Sequence, residues 1–300
     1  MSATAAPAAG ADLEACTPRS LRLRSGVELH HVQGGAGPAL VFVHGVMGDW
    51  RSWAPQWPAF CAHFRCTTYS RRYNFPNRND LPSPDHSALV EADDLLQLLD
   101  ALRIDRAVLV ASSYGAFVAL ALAASRPQRV AALVGVEPAM LCYAEFSASG
   151  RTELQRFRQA VVEPANAAFR AGDDVRGATL MTGGIHAAGA AALQGPAMQR
   201  RLHNARAMRM LALSSNEFPL LPPADLAALP MPVLLLAGRD TPAIHAEVFR
   251  NVAAAMPQAR REVVTGAGHA VARDQPEAFN RLALQFLGAC ASPPHEGDKP

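Results

Sequence analysis

Ser113, Asp240 and His269 are the residues whose types and order could carry out nucleophilic catalysis. A serine hydroxyl attacks a carbonyl carbon when a histidine removes its proton and a carboxylate orients that histidine. Each of the three residues follows a short apolar segment typical of a buried strand. Because the carboxyl ends of parallel strands lie at one edge of a sheet, the sequence predicts that the three side chains meet there.

The segment Ala107–Ala124 positions the serine. It begins as a β-branched apolar strand and continues at once as an Ala- and Leu-rich helix. A strand that turns directly into a helix needs small residues on both sides of its apex, and Ala111 and Gly115 flank Ser113 in this way. Ser112 lacks such neighbours. We therefore predict that Ser113 is the nucleophile, at a helix N-terminus that favours developing negative charge.

A glycine-containing loop, His44-Gly45-Val46-Met47-Gly48, follows the apolar segment Leu40–Val43. Glycines after a strand allow backbone N–H groups to point at a ligand. The backbone N–H groups of Val46 and Tyr114 are thus the predicted oxyanion-hole donors. An ordinary strand-to-helix turn is the alternative interpretation of this loop.

Two carboxylates compete for the role of the acid. Asp240 follows the apolar segment Pro232–Gly238, although it also fits a favourable charge at a helix that Thr241 would cap. Glu137 directly follows the strand-like segment Val130–Val136. We favour Asp240, because the last predicted strand and His269 come after it.

Residues 139–229 contain no clear strand and predict a helical cap inserted into the alternating pattern. Methionines adapt to apolar ligands, although packing within the cap is the alternative role for them. The loop Ser70–Asn77 could order the site, shape its pocket or lie on the surface. The predicted pocket residues are Met47, Arg72, Met208 and Met210.

Composition excludes several classes of function. The net charge of +2 over 300 residues favours neither nucleic acid nor a membrane as a partner. The five cysteines are scattered and complete no metal-binding pattern, so we expect no metal. Catalysis by a serine, a histidine and a carboxylate needs no cofactor, and we expect none. The Ala- and Pro-rich start lacks the features of a signal peptide, which predicts a cytoplasmic protein. The predicted organisation is a disordered tail (1–18), an α/β core (19–138 and 230–289), the cap (139–229) and a flexible tail (290–300).

The chain resembles the α/β-hydrolase superfamily, in particular its members with a lid. The resemblance spans about residues 21–287 and rests on His44-Gly45, Ala-Ser-Ser113-Tyr-Gly, Leu-Ala-Gly-Arg-Asp240 and Gly-Ala-Gly-His269. It implies an α/β fold with a mostly parallel eight-stranded sheet flanked by helices and a helical cap after strand six. The chain departs from the family in having Ala111 for the usual glycine and Ser70-Arg71-Arg72-Tyr73-Asn74 for the usual Asp-x-Arg-Gly-x-Gly loop.

The resemblance implies a serine hydrolase that cleaves an ester, lactone or thioester of a small to medium, fairly apolar molecule through an acyl-enzyme. Two alternatives stay open. One fold hosts many chemistries, so the same site could hydrolyse a carbon–carbon bond or act as a cofactor-free perhydrolase. A relative that binds a ligand without turnover is the other alternative.

Overall fold

The computed structural model describes residues 12–80, 84–189 and 193–291, and eight strands within them form a single sheet. The strands are β1 (Arg19–Arg22), β2 (Glu28–Gly34), β3 (Ala39–Val43), β4 (Arg65–Tyr69), β5 (Ala107–Ser112), β6 (Val130–Val136), β7 (Val233–Gly238) and β8 (Arg260–Val264). Their order is β1-β2-β4-β3-β5-β6-β7-β8. The β1/β2 and β2/β4 pairs are antiparallel and the remaining pairs are parallel, which confirms the predicted mostly parallel sheet.

Helices cover both faces of this sheet. They are α1 (Trp57–Cys61), α2 (Ala88–Ala101), α3 (Tyr114–Ser125), α4 (Ala148–Phe157), α5 (Glu163–Arg170), α6 (Asp174–His186), α7 (Pro196–Leu202), α8 (Ala205–Ala212), α9 (Pro223–Ala227), α10 (Ala243–Ala254), α11 (Val271–Asp274) and α12 (Pro276–Ala291). None of the helices that the described residues form combines the length and the apolar character needed to cross a bilayer.

The central strands are buried on both faces because their side chains alternate between two apolar cores. In β5, Leu109 and Ala111 face the core formed with α2, α3 and α10, whereas Val108 and Val110 face the core formed with α1 and α12. This double burial explains why the sequence reads as nearly continuous apolar runs. Because β3, β5, β6 and β7 pair in parallel, their carboxyl ends lie at one edge of the sheet.

Between β6 and β7 the described residues form helices, turns and loops but no strand, which confirms the predicted helical insertion after strand six. The helices α4 to α9 belong to this insertion. Part of it has its own apolar cluster, in which Met47 of the core packs with Phe169 and Met208.

The ordered part of the chain extends into both of the segments that were predicted as tails. Leu13 is buried in the α1/α12 core with 1% of its surface exposed, and Glu14 pairs with Arg200 of α7. The prediction of a disordered tail to residue 18 is therefore wrong for residues 12–18. At the other end, α12 continues to Ala291, so residue 290 is helical. Residues 1–11 and 292–300 lie outside the described residues.

Candidate active site

Ser113 occupies a tight turn between β5 and α3. Its φ of 54° and ψ of −122° lie in a region that non-glycine residues rarely adopt. The turn leaves no room at Gly115, where a Cβ atom would collide with the carbonyl oxygens of Val43 and His44. The Ser113 backbone N–H donates to the Val136 carbonyl at 2.8 Å, which ties the turn to the end of β6. This geometry matches the turn predicted at Ser113.

A continuous chain of hydrogen bonds links Ser113, His269 and Glu137. The distance between Ser113 Oγ and His269 Nε2 is 2.9 Å, and that between His269 Nδ1 and Glu137 Oε2 is 2.6 Å. Both His269 and Glu137 are buried. His269 lies in the loop that follows β8, and Glu137 directly follows β6. Hydroxyl, imidazole and carboxylate thus stand in the order that activates a serine.

The prediction that Asp240 is the acid is wrong. Asp240 is exposed, and its backbone N–H donates to the Ala267 carbonyl at 2.9 Å. This bond joins the β7 loop to the histidine loop while the carboxylate stays outside. Glu137, the alternative acid of the sequence analysis, fills the position instead.

The end of β7 stabilises the Glu137 carboxylate. The Gly238 backbone N–H donates to Oε1 at 2.8 Å, and the Thr241 hydroxyl donates to Oε2 at 2.7 Å. Thr241 was expected to cap α10, but its hydroxyl is used here, and Pro242 precedes that helix. Glu137 itself has a φ of 38°, so the chain turns immediately after β6 and directs this side chain towards His269.

A second histidine, His245 of α10, stacks on His269 with 3.9 Å between ring centroids and 20° between ring planes. Burial and the neighbouring His269 hold the pKa of His245 well below its usual value. The ring is therefore neutral, and its Nε2 lies 3.1 Å from the Ile185 carbonyl, to which it donates. Sequence reasoning missed this residue, because it lies inside a helix with no motif around it.

The loop after β3 lies against Ser113. A Cβ placed on Gly45 would be 3.4 Å from the Ser113 Cβ, so the Gly45 backbone adjoins the nucleophile. Val46 is next in the chain, and Val46 and Ser113 both line one cavity. Tyr114 is the first residue of α3, where backbone N–H groups have no partner within the helix. Of the two predicted oxyanion donors, Tyr114 thus directly follows Ser113 in the chain, and Val46 directly follows the Gly45 backbone that adjoins it.

The His44 side chain fixes the start of this loop. Its burial and the charge of Arg71 lower its pKa to about 3, so the ring is neutral. Its Nδ1 lies 2.8 Å from the Gly45 carbonyl and its Nε2 accepts the Arg71 backbone N–H at 3.0 Å. These two contacts require the tautomer with its proton on Nδ1.

The loop Ser70–Asn77 holds the other side of the β3 loop, which identifies its role among the three left open. The Arg71 guanidinium donates to the carbonyls of His44 and Gly45, each at 3.2 Å. The Asn74 amide donates to the carbonyls of Val46 and Gly48 at 2.9 and 2.8 Å. The Gly48 N–H donates to the Gly45 carbonyl at 3.0 Å, whereas the described residues give the Val46 and Met47 N–H groups no acceptor.

Arg71 is itself fixed by a buried ion pair with Glu91 of α2. Burial opposes the charge on Glu91, but Arg71 and His86 outweigh it and lower the pKa of this carboxyl to about 2. His86 Nε2 lies 3.2 Å from Glu91. The β3 loop is thus tied through Arg71 to a rigid helix of the core.

A cavity of about 440 Å³ opens over Ser113 between the core and the cap. Met47 lines it, as predicted. The prediction is wrong for Arg72, Met208 and Met210, which are not among its lining residues. Arg72 pairs with Asp94 at 2.7 Å, Met208 is buried in the cap cluster and Met210 is half-buried. The cap residues that do line the cavity come from the end of α6 and from α7; they are Ile185, His186, Pro196, Ala197, Arg200 and Arg201.

The chain belongs to the alpha/beta hydrolase family, whose sequence model matches residues 40–282. It is 27% identical over 277 residues to the "Putative carbamate hydrolase RutD" of Caulobacter sp. (strain K31), covering 88% of this chain and 96% of the relative. It is 26% identical to the 2-hydroxy-6-oxononadienedioate/2-hydroxy-6-oxononatrienedioate hydrolase of Paraburkholderia xenovorans (strain LB400), covering 91% and 96%.

Among solved structures, the chain superposes on the carboxylesterase CesB (YbfK) from Bacillus subtilis with a TM-score of 0.67 and 22% identity. The superposition covers 92% of this chain and 94% of the esterase, so the two share the fold. Family membership and these likenesses identify the chain as a hydrolase of the α/β-hydrolase superfamily.

Proposed function

We propose that this protein is a serine hydrolase that cleaves a carboxylic acid derivative, namely an ester, lactone or thioester of small to medium size, through an acyl-enzyme. The observation that carries the proposal is the hydrogen-bonded chain from Ser113 through His269 to Glu137. The cavity over the serine has a volume of about 440 Å³, which is in the range of pockets that bind small molecules and so supports a small to medium substrate. The Caulobacter relative is named as a putative carbamate hydrolase, and a carbamate carbonyl could be attacked by the same serine; we therefore include carbamates among the candidate substrates.

In the first half-reaction, Ser113 Oγ attacks the carbonyl carbon while His269 Nε2 takes the hydroxyl proton. Glu137 accepts the Nδ1–H bond and stabilises the imidazolium that forms. The backbone N–H groups of Val46 and Tyr114 donate to the oxyanion, and each such donor contributes about 3–4 kcal/mol in well-studied enzymes. His269 then protonates the leaving group, and the acyl group stays on Ser113.

In the second half-reaction, water replaces the leaving group. His269 takes a proton from this water, whose oxygen attacks the acyl carbonyl carbon in the same oxyanion site. Collapse of the intermediate returns the proton to Ser113 Oγ and releases the acid. The stacked, neutral ring of His245 keeps His269 in place through both steps.

Carbon–carbon bond hydrolysis is a second candidate, favoured by the Paraburkholderia relative. A 2-hydroxy-6-oxo dienedioate contains no ester, so its hydrolysis must break a carbon–carbon bond. Turnover of a vinylogous 1,5-diketone acid in preference to every ester would favour this candidate over ester hydrolysis.

The test uses two neighbouring serines that both line the cavity. We expect Ser113→Ala to lower kcat/KM for an activated acetate ester by at least about 10⁴-fold, because the nucleophile is lost. Ser112→Ala is the matched control and should keep most of the activity. A fluorophosphonate probe should label the wild type and Ser112→Ala but not Ser113→Ala.

Circular dichroism confirms that each variant is folded. The proposal is wrong if Ser113→Ala retains the activity, or if the folded wild type neither reacts with the probe nor turns over any activated ester. If Ser112→Ala is the inactive variant instead, the nucleophile is Ser112 and not Ser113.

A further inference from the structure

The cavity over Ser113 is lined by four arginines and one carboxylate. The arginines are Arg51, Arg200, Arg201 and Arg273, and the carboxylate is Glu14. Three of the arginines have an acidic partner; the pairs are Arg51 with Asp49 at 2.6 Å, Arg200 with Glu14 at 2.5 Å and Arg273 with Asp274 at 3.0 Å. Arg201 has no ion pair among the described residues. Its guanidinium therefore gives the cavity a positive group without an ion-pair partner among the described residues.

Arg201 is held by a neutral partner. Its Nη2 lies 3.1 Å from Nε2 of His186, the last residue of α6. Burial and then the charge of Arg201 lower the pKa of His186 to about 2, so this ring accepts the hydrogen bond as a neutral imidazole. A guanidinium has five N–H donors, and this is the one hydrogen bond that the described residues give it. His186 thus orients Arg201 without cancelling its charge.

Arg201 keeps that charge at neutral pH. Burial and the neighbouring Arg273 lower its pKa only to about 10. A partly buried charge is costly unless it meets an opposite charge. The Asp274 carboxylate acts on Arg201 only at a distance, and the described residues give Arg201 no carboxylate in direct contact. The guanidinium is therefore available to pair with an anion that enters the cavity.

The site lies beside the reacting groups. The His186 ring is 5.8 Å from the His269 ring between centroids, and His269 contacts Ser113 at 2.9 Å. One imidazole ring therefore separates the guanidinium from the histidine that activates the nucleophile. A molecule with its carbonyl at Ser113 can extend an anionic group to Arg201 within the same cavity.

We infer that the substrate carries a carboxylate that binds Arg201, with His186 as the residue that positions the guanidinium. This inference rests on the proposed serine hydrolase. It narrows the substrates to esters, lactones or related acyl compounds that carry a second, free carboxylate, such as the half-esters of dicarboxylic acids. The planar guanidinium offers a carboxylate two parallel N–H bonds, a geometry that a lysine lacks.

The experiment compares substrates that differ only in the terminal group. The mono-4-nitrophenyl half-esters of pentanedioate to octanedioate are paired with the 4-nitrophenyl alkanoates of the same carbon number, after subtraction of the uncatalysed rate. We expect kcat/KM to favour the half-ester at one or more chain lengths. Arg201→Ala should lower the ratio of the two kcat/KM values by about 10- to 100-fold, and Arg201→Lys should restore part of it.

The matched control removes a neighbouring charge pair without changing the net charge of the cavity. Glu14→Gln combined with Arg200→Gln eliminates the Arg200 guanidinium, which is adjacent in sequence and lines the same cavity. This double variant should keep the preference of the wild type for the charged substrate. Loss of the preference in the double variant but not in Arg201→Ala would overturn the assignment.

The failure of this inference can be distinguished from the failure of the proposed function. If alkanoates are cleaved but half-esters gain no advantage at any length, the substrate inference is wrong while the hydrolase stands. If no ester is cleaved, the hydrolase proposal fails. Calorimetric titration with hexanedioate then tests, independently of any turnover, whether the cavity binds a carboxylate. Binding to the wild type that Arg201→Ala weakens about 10-fold or more supports the site; equal binding to both, or to neither, overturns it.

Discussion

The ends of β6 and β7 both carry a carboxylate, yet the structure uses them differently. Glu137 directly follows β6 and is 2% exposed, with its carboxylate against His269. Asp240 comes two residues after β7 and is exposed. A place at the carboxyl edge of the sheet is therefore not enough to bring an acid into the site. The direction in which the chain leaves the strand decides it.

The two strand ends also cooperate. The β7 end supplies Gly238 and Thr241, which donate to the carboxylate of the β6 end. Gly238 allows the histidine loop to approach, because a Cβ there would collide with the carbonyl oxygens of Ala267 and Gly268. One end thus provides the acid and the other provides the hydrogen bonds that hold it.

The largest effect on this comparison is expected from Glu137→Gln. Both carboxylate oxygens accept hydrogen bonds, so either orientation of the amide turns its NH2 group towards a donor. In one orientation the NH2 group faces the Gly238 N–H, and in the other it faces Thr241 and His269, whose ring then loses its acceptor. Either way, the negative charge that stabilises the imidazolium is lost. We expect kcat to fall by about 10²- to 10⁴-fold with the fold retained. Steady-state kinetics on an activated ester, with circular dichroism as the control, measures it. Activity close to that of the wild type would show that Glu137 is not the acid.

The sequence predicts the scaffold of the site well because burial leaves a direct pattern. The segment Val130–Val136 is the same in the prediction and in the structure, and β3 and β7 each agree to within one residue. The turn at Ser113 was predictable for a steric reason, since only small residues fit beside its apex. These features depend on local chemistry that a single sequence contains.

The acid was harder to predict because its position depends on strand order. β6 lies beside β5, and Ser112 pairs with Val136 in the register. The residue after Val136 therefore adjoins Ser113. Consecutive strands are often neighbours, so this pairing was the signal available for choosing Glu137 over Asp240.

The pocket residues were missed for a similar reason. Composition identifies the cap but not which of its helices faces the serine, and His186 and Arg201 lie in no motif. Adjacent residues also differ in role. Arg71 holds the β3 loop, whereas Arg72 pairs with Asp94 away from the cavity.

A smaller effect is expected from Thr241→Val, which removes the hydroxyl that donates to Glu137 while keeping the side-chain shape. The carboxylate keeps the Gly238 donor but loses one constraint on its orientation. We expect kcat/KM to fall by about 10-fold, the size of one hydrogen bond to a charged group. Thr241→Ser should restore most of the activity. Unchanged activity in Thr241→Val, or no recovery of activity in Thr241→Ser, would show that the Thr241 hydroxyl does not orient the Glu137 carboxylate.

The smallest effect is expected from Asp240→Asn. Its carboxylate is exposed and has no hydrogen bond or ion pair among the described residues, so solvent and salt screen its charge from His269. We expect kcat/KM to stay within about twofold of the wild type, because screened surface charges contribute little. A loss as large as that of Glu137→Gln would make Asp240 the acid in solution and reverse the comparison.

The double variant Glu137→Gln/Asp240→Asn makes this last test sharper. If Asp240 can replace the missing acid when Glu137 is neutral, the double variant will be less active than Glu137→Gln alone. We expect the two to be equally active, because the Asp240 backbone N–H is bonded to the Ala267 carbonyl and its exposed side chain makes no hydrogen bond or ion pair with the described residues. The interaction free energy from the double-mutant cycle should then be close to zero.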